Sequence, residues 1–256
     1  MFCGDRASSR EDAWPLWLLK HVSGARPGIV LAERGGRPIG SWQAVRPGVR
    51  VKCVCRECNN GWMSQLENRV KPVVEILLDE LPVSLDLQAQ TILAAWAVKT
   101  AMVFEALGTK RVWFYSNSER KFLRDQLQVP LRTGVWIAKC VDPPAAYCSA
   151  TQLRGDTPSV DGDVCTYATT MSFGPLAIQV ITTRMPDEVP VDTRVTADVR
   201  VGPWDLVALP VWPSQSRATA WPPTVGLAGE MGLSALSDRL NPGGGEANSG
   251  SGLAGA

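Results

Sequence analysis

The segment Cys53-Val54-Cys55-Arg56-Glu57-Cys58-Asn59-Asn60-Gly61-Trp62 sets three cysteines within six positions and follows them with a polar turn and a tryptophan. A C-x-x-C pair entering a helix brings two thiolates onto one tetrahedral ion, with the amides of the turn stabilising the sulfurs. Cys55 and Cys58 form such a pair, but a pair is only half a site. Cys3 is the natural source of a third sulfur. A fourth ligand comes either from Cys53, whose closeness to Cys55 strains the geometry, or from ahead of Met1, where the partner of Cys3 in a second C-x-x-C would fall. The expected ion is structural zinc. The alternative is that these cysteines are small buried hydrophobes without metal.

Outward from the knuckle, Val49, Val51 and Cys53 alternate with Arg50 and Lys52, which predicts a strand with one apolar and one basic face. On the other side, Trp62, Met63, Leu66 and Val70 predict a short helix that Pro72 disrupts. Gly, Pro and Arg dominate Gly24 to Gly48, which reads as loops around a short hairpin. Further upstream, Ser8-x-x-Glu11 has the form of a capping box ahead of Trp14, Trp17 and Leu18 at helical spacing, with Pro15 early enough to be tolerated. Residues 1–72 carry 12 Lys/Arg against 6 Asp/Glu, a net of +6, whereas the remaining 184 carry 14 against 19, a net of −5. The charge split predicts a small basic module, residues 1–72, followed by a mildly acidic body.

Taken together, Phe2-Cys3-Gly4, Ser9-Arg10-Glu11-Asp12-Ala13-Trp14-Pro15-x-Trp17-Leu18 and Cys55-x-x-Cys58-Asn59-Asn60-Gly61-Trp62-Met63 resemble the HNH endonuclease group. Within it, they resemble the bacterial branch with an acidic-His-x-x-Pro-x-Trp-Leu segment. The resemblance covers roughly the first seventy residues. It implies a zinc-stapled ββα (treble-clef) finger, with Cys3, Cys55 and Cys58 on the structural zinc. It also implies one catalytic Mg²⁺ or Mn²⁺ ion and hydrolysis of DNA phosphodiester bonds. Carried over position by position, Glu11 falls on the acidic metal ligand and Asn59 on the residue after the final cysteine. Asp12 falls where the general-base histidine belongs.

Asp12 is the main departure from that pattern. A carboxylate binds Mg²⁺ and accepts a proton from water, but with a reference pKa of about 3.9 it is a weaker base than imidazole. The middle Asn of the motif is also absent, Arg50 standing near its place. Asn60 either takes that orienting role or caps the following helix. Glu11 and Asp12 have an alternative reading as acids at a helix start. Arg10, Lys52 and Arg56 are close in sequence to these groups and suit flanking DNA phosphates.

The body, residues 73–225, reads as α+β, helices first and then antiparallel strands. Leu93, Trp96, Ala97, Thr100, Phe104 and Leu107 define a helix from an N-cap at Ser84 to Gly108. A strand over Arg111 to Tyr115 and a helix opened by the capping box Ser116-x-x-Glu119 follow, the helix ending before Pro130. Strands are expected at Val135–Val141, Val164–Met171, Leu176–Thr183 and Leu206–Val211, with Gly174-Pro175 turning an antiparallel hairpin. Trp113, Trp136, Trp204 and Trp212 read as packing. Residues 226–256 hold nine glycines and few bulky groups after Leu240, and are expected to be disordered.

Composition narrows the chemistry. His21 is the only histidine in 256 residues, so multi-histidine metal sites and independent histidine relays are excluded. His21 itself reads as a helix-end or packed residue, with replacement base as the other role. No apolar run is long enough for a membrane helix, since Lys99, Thr100 and Glu105 interrupt the best candidate, Ile92 to Leu107. Early charges at Asp5, Arg6, Arg10, Glu11 and Asp12 do not form an export signal. The expectation is a cytoplasmic protein with reduced cysteines and no membrane partner. Two functions compete. One is an HNH-like nuclease acting on DNA, weakened or degenerate at Asp12. The other is a catalytically inactive zinc-binding module for nucleic acid or protein.

Overall fold

In the computed structural model, the described residues are 1–21, 29–34, 37–43, 49–107, 113–157, 160–185, 204, 206–214, 217–240 and 253–255. The fold is mixed helix and sheet, as expected. Strand β1 (Ser9–Asp12) pairs antiparallel with β4 (Arg50–Val54), Glu11 facing Val51 and Asp12 facing Arg50. The expected helix start at Ser8 to Glu11 is therefore a strand. Main-chain pairing with β4 satisfies these amides, and the Ser8 hydroxyl accepts from the Arg56 amide at 3.1 Å instead of capping a helix. Helical structure begins only with the 3₁₀ turns Leu16–His21.

The knuckle opens the helical run α1 (Arg56–Cys58), a π-turn over Asn59–Met63 and α2 (Ser64–Leu78). Pro72 does not end α2. An interior proline costs about 3 kcal/mol, but Leu66, Val70, Val74, Leu77 and Leu78 are all buried, and that burial outweighs one proline. Position 72 thus lies within a continuous helix. One buried cluster contains Phe2, Trp14 and Val54 from before it and Trp96, Phe173 and Trp221 from after it.

β5 (Val83–Leu85) precedes α3 (Leu87–Glu105). The N-cap is Asp86, whose carboxylate accepts from the Ala89 amide at 2.8 Å, and Ser84 lies in β5. α3 is apolar on nearly every face, and all but one residue from Gln90 to Phe104 is buried. Such a helix belongs in the middle of a domain. It packs on α2 on one side and on the main sheet on the other. α4 (Asn117–Gln126) has both bonds of the expected capping box. Glu119 also pairs with Arg184 at 2.6 Å. Ser116→Ala is expected to cost about 1 kcal/mol, read as a lowered urea midpoint. The described part of the expected strand before α4, residues 113–115, is not a strand. Phe114 stacks on Tyr167 and is held by its amide on the Glu105 carboxylate.

The main sheet has nine strands. They are β2 (Ile29–Arg34), β3 (Arg37–Gln43), β6 (Thr133–Val141), β7 (Ala146–Thr157), β8 (Val160–Phe173), β9 (Leu176–Arg184), β10 (Leu209–Trp212), β12 (Val225–Ala228) and β13 (Leu253–Gly255). The order is β13-β12-β6-β9-β8-β7-β2-β3, with β10 also on β6. Gly174-Pro175 turns the antiparallel β8–β9 hairpin as expected. β11 (Thr219–Trp221) pairs with β5. The β2–β3 hairpin, which lies between β1 and β4 in sequence, joins this sheet by running parallel to β7. The amino-terminal segment therefore contributes strands to the body.

Residues 226–240 and 253–255 correct the expected disordered tail, 226–256. β12 runs parallel to β6, and α5 (Gly229–Asp238) buries Leu233 and Leu236 against the sheet face opposite α3, beside Ala138, Tyr147 and Ala177. Averaging composition over the glycine-rich stretch hides this short apolar stripe. Residues 241–252 and 256 lie outside the described residues, as do residues 24–28, 35–36 and 44–48 of the expected loop region, whose short hairpin is β2–β3.

Candidate metal centre and adjoining pocket

Cys55 ends β4 in an extended conformation (φ −81°, ψ 161°) and N-caps α1, its sulfur accepting from the Cys58 amide at 3.3 Å. The turn that starts the helix aims both sulfurs the same way. Cys3 arrives from the amino-terminal strap. Phe2, buried, packs edge-on against Trp62 with ring centroids 5.0 Å apart. Gly4 takes a left-handed φ of 87°, and the Asp5 amide donates to the Cys3 sulfur at 3.4 Å. The Cys3 and Cys55 sulfurs are 3.4 Å apart, and all three sulfurs lie within 4.8 Å of one another. Among the described residues they are the only group of three or more His, Cys, Asp or Glu side chains placed to share an ion.

The donors fit zinc. Tetrahedral thiolates at about 2.3 Å from an ion are about 3.8 Å apart, close to the observed spacing, and the amides already point at the sulfurs. The Cys58 amide lowers the Cys55 thiol, whereas burial pushes Cys3 up to about 12 and also raises Cys58. Three thiolates so close together need a cation to ionise together, and a divalent ion supplies that charge. Cys53 is not the fourth ligand. It lies outside the three-sulfur cluster, and burial and the Glu11 charge push its thiol up to about 11. No fourth ligand is present among the described residues.

Directly beside the knuckle is a cavity of about 290 Å³ whose lining includes Arg10, Glu11, Asp12, Arg50, Asn59 and Glu67. The residues matched to the HNH pattern thus meet in one place. Glu11 points inward from β1 and is 6% exposed. One Glu11 oxygen is 3.2 Å from the ammonium of Lys99, which reaches a Glu67 oxygen at 2.7 Å. Lys99, in the middle of α3, is 1% exposed. Burial acts to lower the Lys99 pKa, but Glu67 and Glu11 outweigh it and hold it above the ordinary lysine value. Burial raises the Glu11 carboxyl, with Lys99 opposing. Asp12 forms an ion pair with Arg50 across the β1–β4 ladder at 3.1 Å, and burial raises its carboxyl too.

Asn59 donates from Nδ2 to the Ser9 hydroxyl at 2.8 Å and to the Arg10 carbonyl at 3.2 Å. It therefore fastens β1 to the knuckle. Asn60 lines the same cavity and does not N-cap α2, whose N-cap is Met63. Arg10, Lys52 and Arg56 are all exposed. His21 ends the 3₁₀ turns with Nδ1 3.3 Å from Asp79 and does not line the cavity.

The expected divalent-ion ligands Glu11, Asp12 and Asn59 converge, but their charges are already matched. Glu11 and Glu67 share Lys99, and Asp12 has Arg50. A catalytic Mg²⁺ or Mn²⁺ does not fit this set without displacing an ammonium. Sequence reading missed Lys99 and Glu67. The available signal was a lone lysine in a helix apolar on all sides, which must have carboxylate partners if that helix is buried. No helix among the described residues is long and apolar enough to cross a membrane. No family model, no curated protein and no solved structure matches this chain.

Proposed function

We propose that the amino-terminal lobe is an HNH-like, zinc-stapled knuckle that binds nucleic acid without cleaving it. The observation that carries the reading is the convergence of the Cys3, Cys55 and Cys58 sulfurs beside a pocket whose acids are internally paired. Zinc fixes β4, the first turn of the following helix and the strap bearing Phe2. That frame displays Arg10, Lys52 and Arg56 to solvent, where they neutralise phosphates and release condensed counterions. Binding of this kind follows backbone charge, and the nucleic acid preferred is one of accessible phosphates, such as duplex DNA.

The test is metal analysis of the purified chain together with fluorescence anisotropy on a labelled DNA duplex at several salt concentrations. One zinc per chain is expected, with affinity falling steeply as salt rises. The Arg10→Ala/Lys52→Ala/Arg56→Ala variant is expected to reduce the slope of log K against log salt by about 0.9 per lost phosphate contact. Absence of zinc, or retention unaffected by salt, overturns the proposal.

A second reading, divalent-metal-dependent cleavage of DNA, is supported by Glu11, Asp12 and Asn59 meeting in one cavity. In that reading Glu11, Asp12 and Asn59 would hold a divalent ion in place of the Lys99 or Arg50 charge, and the ion would supply Lewis-acid activation of the phosphodiester. Nicking of plasmid DNA in Mg²⁺ or Mn²⁺ that is lost in Glu11→Ala and Asp12→Ala favours it over binding alone.

A further inference from the structure

We propose that Lys99, buried behind the pocket wall, supplies the cation for the pocket's acids: its ammonium, shared by Glu11 and Glu67, takes the electrostatic role of a divalent ion, so the wild-type pocket takes none. The inference rests on the HNH-like reading only for the expectation that such a pocket would hold an ion. Three observations carry it.

The first is position. The Lys99 ammonium sits at 3.2 Å from Glu11 and 2.7 Å from Glu67, joining a strand of the amino-terminal lobe to the helix that follows the knuckle. The second is confinement. Lys99 is 1% exposed, and its neighbours Val98, Thr100 and Ala101 are buried as well. A lysine so enclosed does not swing into solvent to vacate the acids. The third is charge. Glu11, Glu67 and Asp12 contribute three negative charges, and Lys99, Arg50 and Arg10, which also lines the cavity, return three. No net negative charge remains to offset the dehydration of a divalent ion, and Mg²⁺ in particular demands near-octahedral oxygens at about 2.1 Å. Lysine offers three hydrogen-bond donors without that geometric demand.

The experiment titrates Mn²⁺ into the zinc-loaded full chain and follows free Mn²⁺ by electron paramagnetic resonance. Wild type is expected to bind no Mn²⁺ at millimolar concentration that Glu67→Gln removes. Lys99→Met is expected to gain one Mn²⁺ per chain, lost again in Lys99→Met/Glu67→Gln, whereas Lys99→Arg, which keeps the charge, gains none. A wild-type Mn²⁺ dependent on Glu67 overturns the proposal, as does a folded Lys99→Met that takes none. Should Lys99→Met not fold, the wild-type arm decides by itself: Glu67-dependent binding overturns the proposal and its absence supports it. Zinc content and DNA retention play no part in this readout, so its failure is distinct from failure of the knuckle reading.

Discussion

If the three cysteines hold the proposed zinc, Cys55→Ser, or chelation of that ion, is expected to unfold the amino-terminal lobe. Structural zinc contributes on the order of 10 kcal/mol in small fingers, comparable to the whole stability of a typical domain. Cys55 makes three connections at once: it caps α1, lies 3.4 Å from Cys3 and closes β4. Without the ion, the strap keeps the packing of Phe2 in the core and on Trp62 and the Ser8 bonds to Val54 and Arg56, but loses its link through Cys3. The measurement is thermal unfolding with and without chelator, together with near-ultraviolet circular dichroism for the Trp62 environment. Cys140→Ala is the control. Cys140 is buried under α5, far along the chain from the knuckle, and zinc content is expected to be unchanged. A chelated protein that keeps both its melting temperature and its near-ultraviolet signal rules out the staple.

Lys99→Met is expected to cost about 3–5 kcal/mol, because removing one partner from a buried ion pair leaves its counter-charge without compensation. Here two carboxylates lose their shared cation. Most of the loss is expected to return in Lys99→Met/Glu11→Gln/Glu67→Gln, which carries no unpaired charge, and urea denaturation at pH 7 compares the three proteins. The pH dependence has a definite sign. Burial already raises the Glu11 carboxyl above its ordinary value, and Lys99 opposes that rise. Without Lys99 the folded-state pKa goes higher still. A carboxyl raised on folding binds its proton more tightly in the native state, so stability falls as pH rises from the unfolded value through the folded one. The variant is therefore expected to recover stability relative to wild type when pH is lowered from 7 towards 5. Equal losses at both pH values rule out an uncompensated carboxylate as the cause.

Local signals survived folding where the physics was local. The capping box at Ser116 and Glu119 needs only four residues and formed as read, and Gly174-Pro175 turned its hairpin. The C-x-x-C turn likewise builds its own sulfur geometry. Signals failed where a distant partner changed the outcome. Ser8-x-x-Glu11 has the letters of a helix start, but β4 captured those amides into a ladder. Pro72 has the letter of a helix stop, but the buried face of α2 carried the helix past it. β7 went unread because its residues mix small, polar and aromatic types without a clear period, and its pairing with β8 and β2 is long-range.

The sequence by itself determined an α+β chain and a three-cysteine cluster drawn from two distant segments, both from short-range spacing and from residue chemistry that admits few partners. The expectation that Glu11, Asp12 and Asn59 meet came only from the family resemblance. Only the tertiary structure decided what those acids pair with. Lys99 is eighty-eight residues from Glu11 and thirty-two from Glu67, and no periodicity links the three. They meet because α3 is apolar enough to be buried whole. Once it is buried, its one lysine has to find carboxylates there, since an unpaired charge in the core costs more than the fold has to spare.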